Sequence, residues 1–295
     1  MFFTDSFAVT GCHGVCKDYA YTQIFNYAEK QYALAALSDG CTLTKHSDVG
    51  SRILCHSLIS CLPNFFIRTG YTPEQCFDDV VKKILKVCTD LCLNCECLDA
   101  TLLGCITDGK TIFIIAWGDG YIFTPKVEYR IEFESNAPFY ISYLLDSTRA
   151  KAYEQQFSNE KSWIHVIKKE DGGIEIESVL FPSTSQPTLF ANIGCPENKD
   201  FTVCLASDGV TSFSLEQDNQ ESKIVPITKV VSDFTAYKNF QGEFVQRRVT
   251  KVLKEYNKLN MRHFDDLSFA TIHFAKDPNE ATSVHTEDGS GHPNR

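Results

Sequence analysis

The sequence predicts an α+β fold, a layered sandwich in which helices pack against sheets. Short runs rich in β-branched and aromatic residues, bounded by Gly, Asp or Asn, are typical of strands. Two consecutive amphipathic helices lie between blocks of such runs instead of alternating with single strands, which disfavours a parallel sheet of βαβ units. No internal repeat is visible, and this argues against a solenoid or a propeller.

Seven runs carry the strand pattern. Each run is short and is followed or preceded by residues that favour turns. The predicted strands are Phe7–Thr10, Tyr32–Leu37, Thr101–Ile106, Thr111–Ala116, Tyr129–Phe133, Thr202–Ala206 and Ser268–Phe274.

Three segments carry helix signals. The first helix is predicted to begin near Ser47, a favourable N-cap residue, and to bury one apolar face. The second follows Thr72 as the N-cap, with Pro73 at the first helical position and Gln75 completing a capping box. The third covers Phe240–Tyr256, and we interpret its basic residues as a solvated face.

The composition is that of an ordinary globular protein, with 43% hydrophobic and 22% charged residues over 295 positions. We expect one domain over residues 1–275 and a disordered tail over residues 276–295, where apolar residues are almost absent. The net charge of −10 argues against a basic surface for nucleic acid. Neither a signal peptide nor an apolar run near the roughly 20 residues that span a bilayer is visible, so we expect a cytoplasmic protein that does not interact with membranes.

The chain has 13 cysteines, an odd number, which is consistent with reduced thiols in a cytosol. Cys88, Cys92, Cys95 and Cys97 form a cluster that could in principle bind zinc. Their spacing lacks two C-x-x-C pairs, so we favour structural thiols and keep a zinc site as the alternative.

Four aspartate segments adjoin apolar strands. Asp39, Asp119 and Asp208 each precede a glycine, and Asp265 opens an Asp-Asp pair just before a strand. Asp-Gly is a common turn dipeptide, and turns alone explain any one of these segments. Gathered at one edge of a sandwich, the same carboxylates would repel one another and would bind hard cations such as Mg²⁺ or Mn²⁺. The pattern by itself supports both interpretations equally.

The order and spacing of these segments resemble the protein phosphatase 2C family, especially its bacterial branch. Each motif is weak alone, but five in family order over roughly residues 9–274 are specific. The matching segments are residues 11–18 (GCHGVCKD), 39–52 (DGCTLTKHSDVGSR), 118–120 (GDG), 207–209 (SDG) and 265–268 (DDLS), and residues 136–140 (NAPFY) also resemble the bacterial branch.

The resemblance implies a four-layer α-β-β-α sandwich of two antiparallel sheets flanked by helices. It implies that residues 1–275 form the catalytic domain of a metal-dependent phosphatase, which hydrolyses phosphoserine and phosphothreonine in proteins and opposes a serine/threonine kinase. Water activated by two divalent ions, Mn²⁺ or Mg²⁺, would attack phosphorus in line, without a covalent enzyme intermediate. The Cys-x5-Arg loop of cysteine-based phosphatases is absent from the sequence.

The resemblance also assigns roles to individual residues. Asp39 would bridge both metal ions, with the Gly40 carbonyl bound to one of them. Asp208 and Asp265 would complete the other, and Asp18 would hold the metal-bound water, directly or through its hydrogen bonds. Asp18 and Asp39 are therefore candidate catalytic residues as well as candidate metal ligands.

A further aspartate and three departures concern the rest of the site. Asp119 resembles the family residue that helps bind a third, weaker metal ion. His13 stands where many members have a phosphate-gripping arginine, and we include it as a candidate catalytic residue beside the alternative of a plain loop histidine. Cys41 replaces a histidine that often acts as the general acid, and Lys17 replaces an acidic or amide residue.

Two other functions use the same residues. A pseudophosphatase would keep the fold and act as a phosphoprotein-binding regulatory module, but a chain without activity does not need intact aspartates. A metal-dependent nuclease would use the same carboxylates, and the acidic balance argues against it.

Overall fold

The structure is a computed structural model that describes residues 1–12, 14–157, 162–168, 174–179, 187–197, 199–216 and 222–276. Short 3₁₀ turns cover Cys95–Leu98 and Asp208–Thr211. The described helices are α1 (Ser47–Ile59), α2 (Asn64–Ile67), α3 (Pro73–Asp90), α4 (Ile141–Leu145), α5 (Ser147–Phe157), α6 (Ile227–Thr235) and α7 (Phe244–Lys258). The described strands are β1 (Phe2–Val9), β2 (Tyr19–Tyr27), β3 (Lys30–Ser38), β4 (Leu102–Thr107), β5 (Thr111–Trp117), β6 (Gly120–Phe123), β7 (Val127–Phe133), β8 (Ser162–Lys168), β9 (Ile174–Val179), β10 (Leu189–Gly194), β11 (Phe201–Ala206), β12 (Phe213–Leu215), β13 (Lys223–Ile224), β14 (Met261–His263) and β15 (Leu267–Phe274).

These strands form two large antiparallel sheets and one small one. The seven-stranded sheet has the order β1-β15-β11-β6-β7-β8-β9, and the five-stranded sheet has the order β10-β5-β4-β3-β2. A three-stranded sheet, β13-β12-β14, lies outside them. β5 and β6 belong to different sheets, so the turn between them, which contains Asp119, passes from one sheet to the other.

Three hydrophobic cores stack the layers. The first lies between the two large sheets, where Leu37 of one sheet and Leu205 of the other are both fully buried. The second packs α1 and α3 on the five-stranded sheet, with Leu58 buried at the contact. The third packs α6 and α7 on the seven-stranded sheet, with Val249 and Phe269 buried there. The predicted α-β-β-α order of layers is confirmed.

The seven predicted strands correspond to β1, β3, β4, β5, β7, β11 and β15, with their ends shifted by a few residues. The capping box of α3 is confirmed, since the Thr72 hydroxyl accepts a hydrogen bond from Gln75 N and the Gln75 side chain accepts one from Thr72 N. The prediction that Ser47 is an N-cap is wrong. Ser47 is the first helical residue of α1, and its hydroxyl donates to the carbonyls of Cys41 and Thr44 instead.

The third predicted helix begins at Phe244 and not at Phe240. Phe240 instead stacks on His273, with ring centroids 3.4 Å apart. The first turn of α7 is capped by a carboxylate from another element, because Asp5 of β1 accepts a hydrogen bond of 2.6 Å from Val245 N. Such a cap is invisible in the local sequence.

Two predictions concern the C-terminal tail and membrane-spanning helices. The tail predicted for residues 276–295 lies outside the described residues, apart from Lys276. Among the helices of the described ranges, none is long and apolar enough to cross a membrane.

Candidate metal centre

Strand register brings Asp18 and Asp39 together at one edge of the five-stranded sheet. β2 and β3 pair with Tyr19 opposite Ser38, so Asp18, just before β2, and Asp39, just after β3, are neighbours. Thr101 fixes the backbone of Asp39, because its hydroxyl accepts from Asp39 N at 3.1 Å and its N–H donates to Asp39 O at 2.9 Å. The position of Asp39 is therefore set by two strands.

The turns of the seven-stranded sheet bring three further aspartates to the same place. Asp208 follows β11 and Asp265 precedes β15, and these strands pair with Ala206 opposite Phe269. Asp119 lies in the turn between β5 and β6, and β6 is the other neighbour of β11. All five aspartates thus stand at strand ends on one edge of the sandwich.

The loops at this edge enclose a pocket of about 110 Å³. Four of the predicted ligands, Asp39, Asp119, Asp208 and Asp265, line it, and the fifth aspartate, Asp18, is buried beside Asp39. The other lining residues are Gly40, Cys41, Thr42, Thr101, Asn136, Pro138 and Tyr140.

Several of these carboxylates are buried without a partner. Asp18 is only 4% exposed and Asp119 only 7% exposed. Within the described part of the chain, neither side-chain oxygen of Asp18 has a hydrogen-bond partner, and Oδ1 of Asp208 has none either. The hydroxyls of Ser207 and Ser268 lie close to Asp18, but neither makes a hydrogen bond to its carboxylate. Buried polar atoms are normally paired, so these oxygens indicate a missing cationic partner.

The pKa values of the aspartates follow from burial and mutual repulsion. Burial raises the pKa of Asp18 to about 7, although the nearby serine hydroxyls lower it. Burial raises the pKa of Asp39 well above its usual value, and the charges of Asp18 and Asp208 raise it further. Burial, and to a smaller extent the charge of Asp208, raises the pKa of Asp119 well above its usual value. Keeping several of these groups ionised at neutral pH requires added positive charge.

The donor set fits divalent cations in its chemistry. The acidic side chains of the pocket offer only oxygen, which hard ions such as Mg²⁺ and Mn²⁺ prefer. As the side chains stand, no three Asp, Glu, His or Cys residues converge into a finished ligand set within the part of the chain that the structure describes. The fit therefore rests on charge, burial and unpaired oxygens, and the individual ligand roles stay predictions.

The glycine after Asp39 has a packing reason of its own. A Cβ on Gly40 would lie 2.7 Å from the Lys17 carbonyl oxygen and 2.8 Å from the Ser51 hydroxyl. Only glycine lets these three segments approach so closely. The use of the Gly40 carbonyl as a metal ligand stays a prediction beside this structural role.

The loop before Asp18 is held by a residue that sequence reasoning missed. Asp266 is 4% exposed, and its two carboxylate oxygens accept hydrogen bonds from Gly11 N at 2.8 Å and Lys17 N at 2.6 Å. Asp265 lines the pocket and its neighbour Asp266 anchors the loop. His13, the predicted catalytic residue of this loop, lies outside the described residues.

A second network behind the pocket was also missed. Arg149 donates to both oxygens of Asp99 at 2.9 and 2.8 Å, and Ser142 and Thr44 donate to the same carboxylate. The backbone carbonyl of Asp99 accepts from Cys41 N at 2.8 Å. The network thus supports the pocket wall from α4 and α5. No sequence signal marks it, because its members are separated by up to about a hundred positions.

The cysteine cluster is partly buried and sits at the end of α3. Cys88 and Cys97 are buried, whereas Cys92 is exposed. Burial and then the neighbouring Cys88 raise the pKa of Cys97 to about 12. A zinc ligand must be a thiolate, so this environment favours structural thiols. The absence of bound zinc stays a prediction.

The sequence model of the protein phosphatase 2C family matches residues 14–255. The chain belongs to the protein phosphatase 2C family. The match includes Asp18, Asp39, Asp119 and Asp208, and it ends before Asp265. A search among curated proteins finds no match.

Several solved structures align with this family member over most of its length. The serine-threonine phosphatase 2C of Toxoplasma gondii is 13% identical, with a TM-score of 0.50 over 93% of this chain and 95% of that chain. The Mycobacterium tuberculosis serine/threonine phosphatase PstP/Ppp is also 13% identical, with a TM-score of 0.46 over 93% and 99% of the two chains. Another structure of the PstP catalytic domain, in complex with 2 manganese ions, is 14% identical, with a TM-score of 0.43 over 92% and 97%. The match to the Toxoplasma gondii phosphatase, at 13% identity and a TM-score of 0.50, shows a common fold alone.

Proposed function

We propose that this chain is a metal-dependent phosphoprotein phosphatase that hydrolyses phosphoserine and phosphothreonine. One observation supports this above all. Five aspartates from different strand ends lie at one edge of the sandwich, and three of their buried oxygens have no hydrogen-bond partner among the described residues. In a protein phosphatase 2C family member, such a cluster is most simply a site for divalent cations and for the phosphate that they bind.

The proposed ligands divide between the two sheets. Asp39 would be shared by the two ions, and the repulsion between its carboxylate and those of Asp18 and Asp208 supports this role. Asp208 and Asp265 would hold one ion from the seven-stranded sheet, the Gly40 carbonyl would serve the other, and a third, weaker ion would use Asp119. When bound, Mn²⁺ or Mg²⁺ supplies positive charge to the phosphoryl oxygens and makes water acidic enough to attack phosphorus.

The remaining groups act on water and substrate. Asp18 lies deepest and has free acceptor oxygens, so it would orient the attacking water. Burial, with the nearby Cys41 and Asp119, raises the pKa of Tyr140 strongly, so its hydroxyl stays protonated and can donate a hydrogen bond to phosphate. Asn136 lines the same pocket and offers an amide donor. These neutral donors would supplement the charge of the metal ions.

The size of the pocket bears on the substrate. A volume of about 110 Å³ admits a phosphate group and leaves the rest of a substrate outside. We therefore propose that the substrate is a phosphorylated side chain of a protein. A serine/threonine kinase in the cytoplasm would add this phosphate.

The test is hydrolysis of p-nitrophenyl phosphate and of a phosphothreonine peptide with Mn²⁺ or Mg²⁺, before and after EDTA. We expect activity that EDTA abolishes and that added Mn²⁺ restores. Asp90→Asn is a matched control, because Asp90 is an exposed aspartate on α3 that forms an ion pair with Lys86 and does not line the pocket. Turnover that survives complete metal removal would overturn the metal-dependent mechanism.

Two further arms separate the competing functions. Phosphopeptide binding without turnover at any metal concentration would favour a regulatory module. Metal-dependent cleavage of DNA or RNA, with no phosphatase activity, would favour a nuclease.

A further inference from the structure

Lys17 uses its whole ammonium group on one loop of the proposed site. Its Nζ donates to the backbone carbonyls of Cys41 at 3.2 Å, Thr42 at 2.7 Å and Thr44 at 2.8 Å. A lysine ammonium has three N–H donors, so none remains for another ligand. Although Lys17 directly precedes Asp18, its charge is therefore committed to the protein and not to a substrate phosphate.

The backbone of Lys17 is also bound on both sides. Its N–H donates to Asp266 at 2.6 Å, and its carbonyl accepts from the hydroxyl of Ser51 in α1 at 2.8 Å. Asp266 follows the proposed ligand Asp265 of the seven-stranded sheet. Lys17 thus connects the segments that carry Asp18 and Asp265 with the loop that follows Asp39.

This loop, residues 41–44, is also held by Ser47 of α1, whose hydroxyl donates to the carbonyls of Cys41 at 2.8 Å and Thr44 at 3.2 Å. Its hydrophobic residue, Leu43, is 95% exposed and cannot fix it by burial. Behind the pocket, Cys41 N and the Thr44 hydroxyl bond to Asp99. Charge-assisted hydrogen bonds are the stronger kind, so those from Lys17 dominate the attachment of the loop to the Asp18 segment.

We propose that Lys17 is a positioning residue that holds the Cys41–Thr44 loop, and with it Asp39 and Gly40, in register with Asp18 and Asp265. The inference rests on the proposed metal site and adds to it the element that joins its two halves. Five aspartates repel one another before cations bind, and a fixed loop lowers the cost of assembling them. Removal of the ammonium should weaken Mn²⁺ binding while Asp18 and Asp39 remain intact.

The experiment compares Lys17→Met with Lys45→Met, which removes an exposed lysine just beyond the same loop. Amide hydrogen exchange over residues 39–47 of the metal-free proteins reports the loop itself. We expect exchange about tenfold faster in Lys17→Met, since a lost charge-assisted bond is worth more than 1.4 kcal/mol, and no change in Lys45→Met. The Mn²⁺ dissociation constant, measured by calorimetry, should rise about tenfold in Lys17→Met only.

Unchanged exchange over residues 39–47 in Lys17→Met would overturn the inference. So would faster exchange with an unchanged Mn²⁺ dissociation constant, because Lys17 would then be a structural residue that does not position the site. If the wild-type protein neither binds Mn²⁺ nor hydrolyses phosphate esters, the proposed function is wrong. The hydrogen-exchange result still decides whether Lys17 holds the loop.

A measurement on the unmodified protein covers the case in which Lys17→Met does not fold. Acetylation of lysines by an activated ester, followed by mass spectrometry, ranks their accessibility. We expect Lys17 to react about tenfold more slowly than Lys45, because its ammonium must first break its hydrogen bonds. Equal rates would show that the three bonds do not persist in solution and would overturn the inference.

Discussion

Two buried carboxylates in this molecule lie at similar depth and are treated in opposite ways. Asp99 is 6% exposed and receives hydrogen bonds from Arg149, Ser142 and Thr44. Asp18 is 4% exposed, and neither of its carboxylate oxygens has a hydrogen-bond partner in the ranges that the structure describes. Where a buried carboxylate has a structural role, as Asp99 does, hydrogen-bond donors of the protein itself compensate its charge.

The contrast indicates what the acidic pocket is for. Asp39, Asp119 and Asp208 stand near Asp18, and each has a raised pKa because burial and neighbouring carboxylates penalise its charge. No arginine or lysine is provided to offset this cost among the residues that line the pocket. The compensating charge is expected to come from outside the chain, as divalent cations.

The largest expected effect is the loss of activity in Asp39→Asn. A shared ligand would be removed, so phosphatase turnover should fall by more than the roughly 10–100-fold that follows the loss of a residue which merely supports a ligand. The metal-free variant should be at least as stable as wild type, because a repelled buried charge is gone. Steady-state hydrolysis of p-nitrophenyl phosphate and thermal unfolding in EDTA measure the two effects. If Asp39→Asn kept near wild-type turnover, Asp39 would not be a metal ligand.

Asp99→Asn should have the opposite signature. Breaking a partly buried ion pair leaves Arg149 uncompensated, so the free energy of unfolding should fall by about 3 kcal/mol. Urea unfolding measures this change, and Arg149→Met provides the reciprocal variant. If Asp99→Asn were neutral and Asp39→Asn destabilising, the contrast between the two regions would be wrong.

The stability of the metal-free protein should depend on pH in the sense set by Asp18. Its pKa in the folded chain is raised to about 7 by burial, above the ordinary 3.8. The folded state therefore holds this proton more tightly than the unfolded state, so the contribution is full below the ordinary pKa and is lost as the pH rises through about 7. Thermal unfolding in EDTA should show a falling melting temperature over roughly pH 5 to 8.

Metal and mutation provide the controls for this pH profile. Mn²⁺ binds the deprotonated carboxylates, so its stabilisation should grow over the same range. Asp18→Asn should make the metal-free profile less steep, and the raised pKa values of Asp39, Asp119 and Asp208 account for the dependence that remains. A melting temperature that rises with pH in EDTA would contradict the assignment.

The smallest effect is expected at Cys41, which lines the pocket. A thiol is a weak proton donor for a serine or threonine leaving group, whereas nitrophenolate leaves without help. Cys41→His should raise phosphothreonine peptide turnover by roughly tenfold, below the 10²–10⁴-fold of a well-positioned acid. Turnover of p-nitrophenyl phosphate should barely change. Equal changes on both substrates would show that another group supplies the proton.

Much of the fold was readable from the sequence because its signals are local. A few consecutive residues are enough to identify the capping box at Thr72 and the β-branched and aromatic runs of β3 and β5. β2 was missed because it mixes polar and aromatic side chains. It is an edge strand, so its apolar and polar residues need not alternate regularly. The start of α7 was misplaced because its cap, Asp5, lies about 240 positions away.

The site was predictable in its aspartates and not in its supports. Asp-Gly steps at strand ends mark Asp39, Asp119 and Asp208, and the register of the sheets then gathers them. The hydrogen bonds of Asp266 and the ion pair of Asp99 join segments with no local pattern, so only tertiary packing reveals them.

The most direct test of the account is the number of Mn²⁺ ions that the purified chain binds at neutral pH, measured by equilibrium dialysis with EPR detection of free Mn²⁺. We predict two ions per wild-type chain, an unchanged number in Asp90→Asn, and loss of binding in Asp39→Asn and Asp208→Asn. If wild type bound no Mn²⁺, or if Asp39→Asn bound as many ions as wild type, the acidic pocket would not be the metal centre and the central claim would fall.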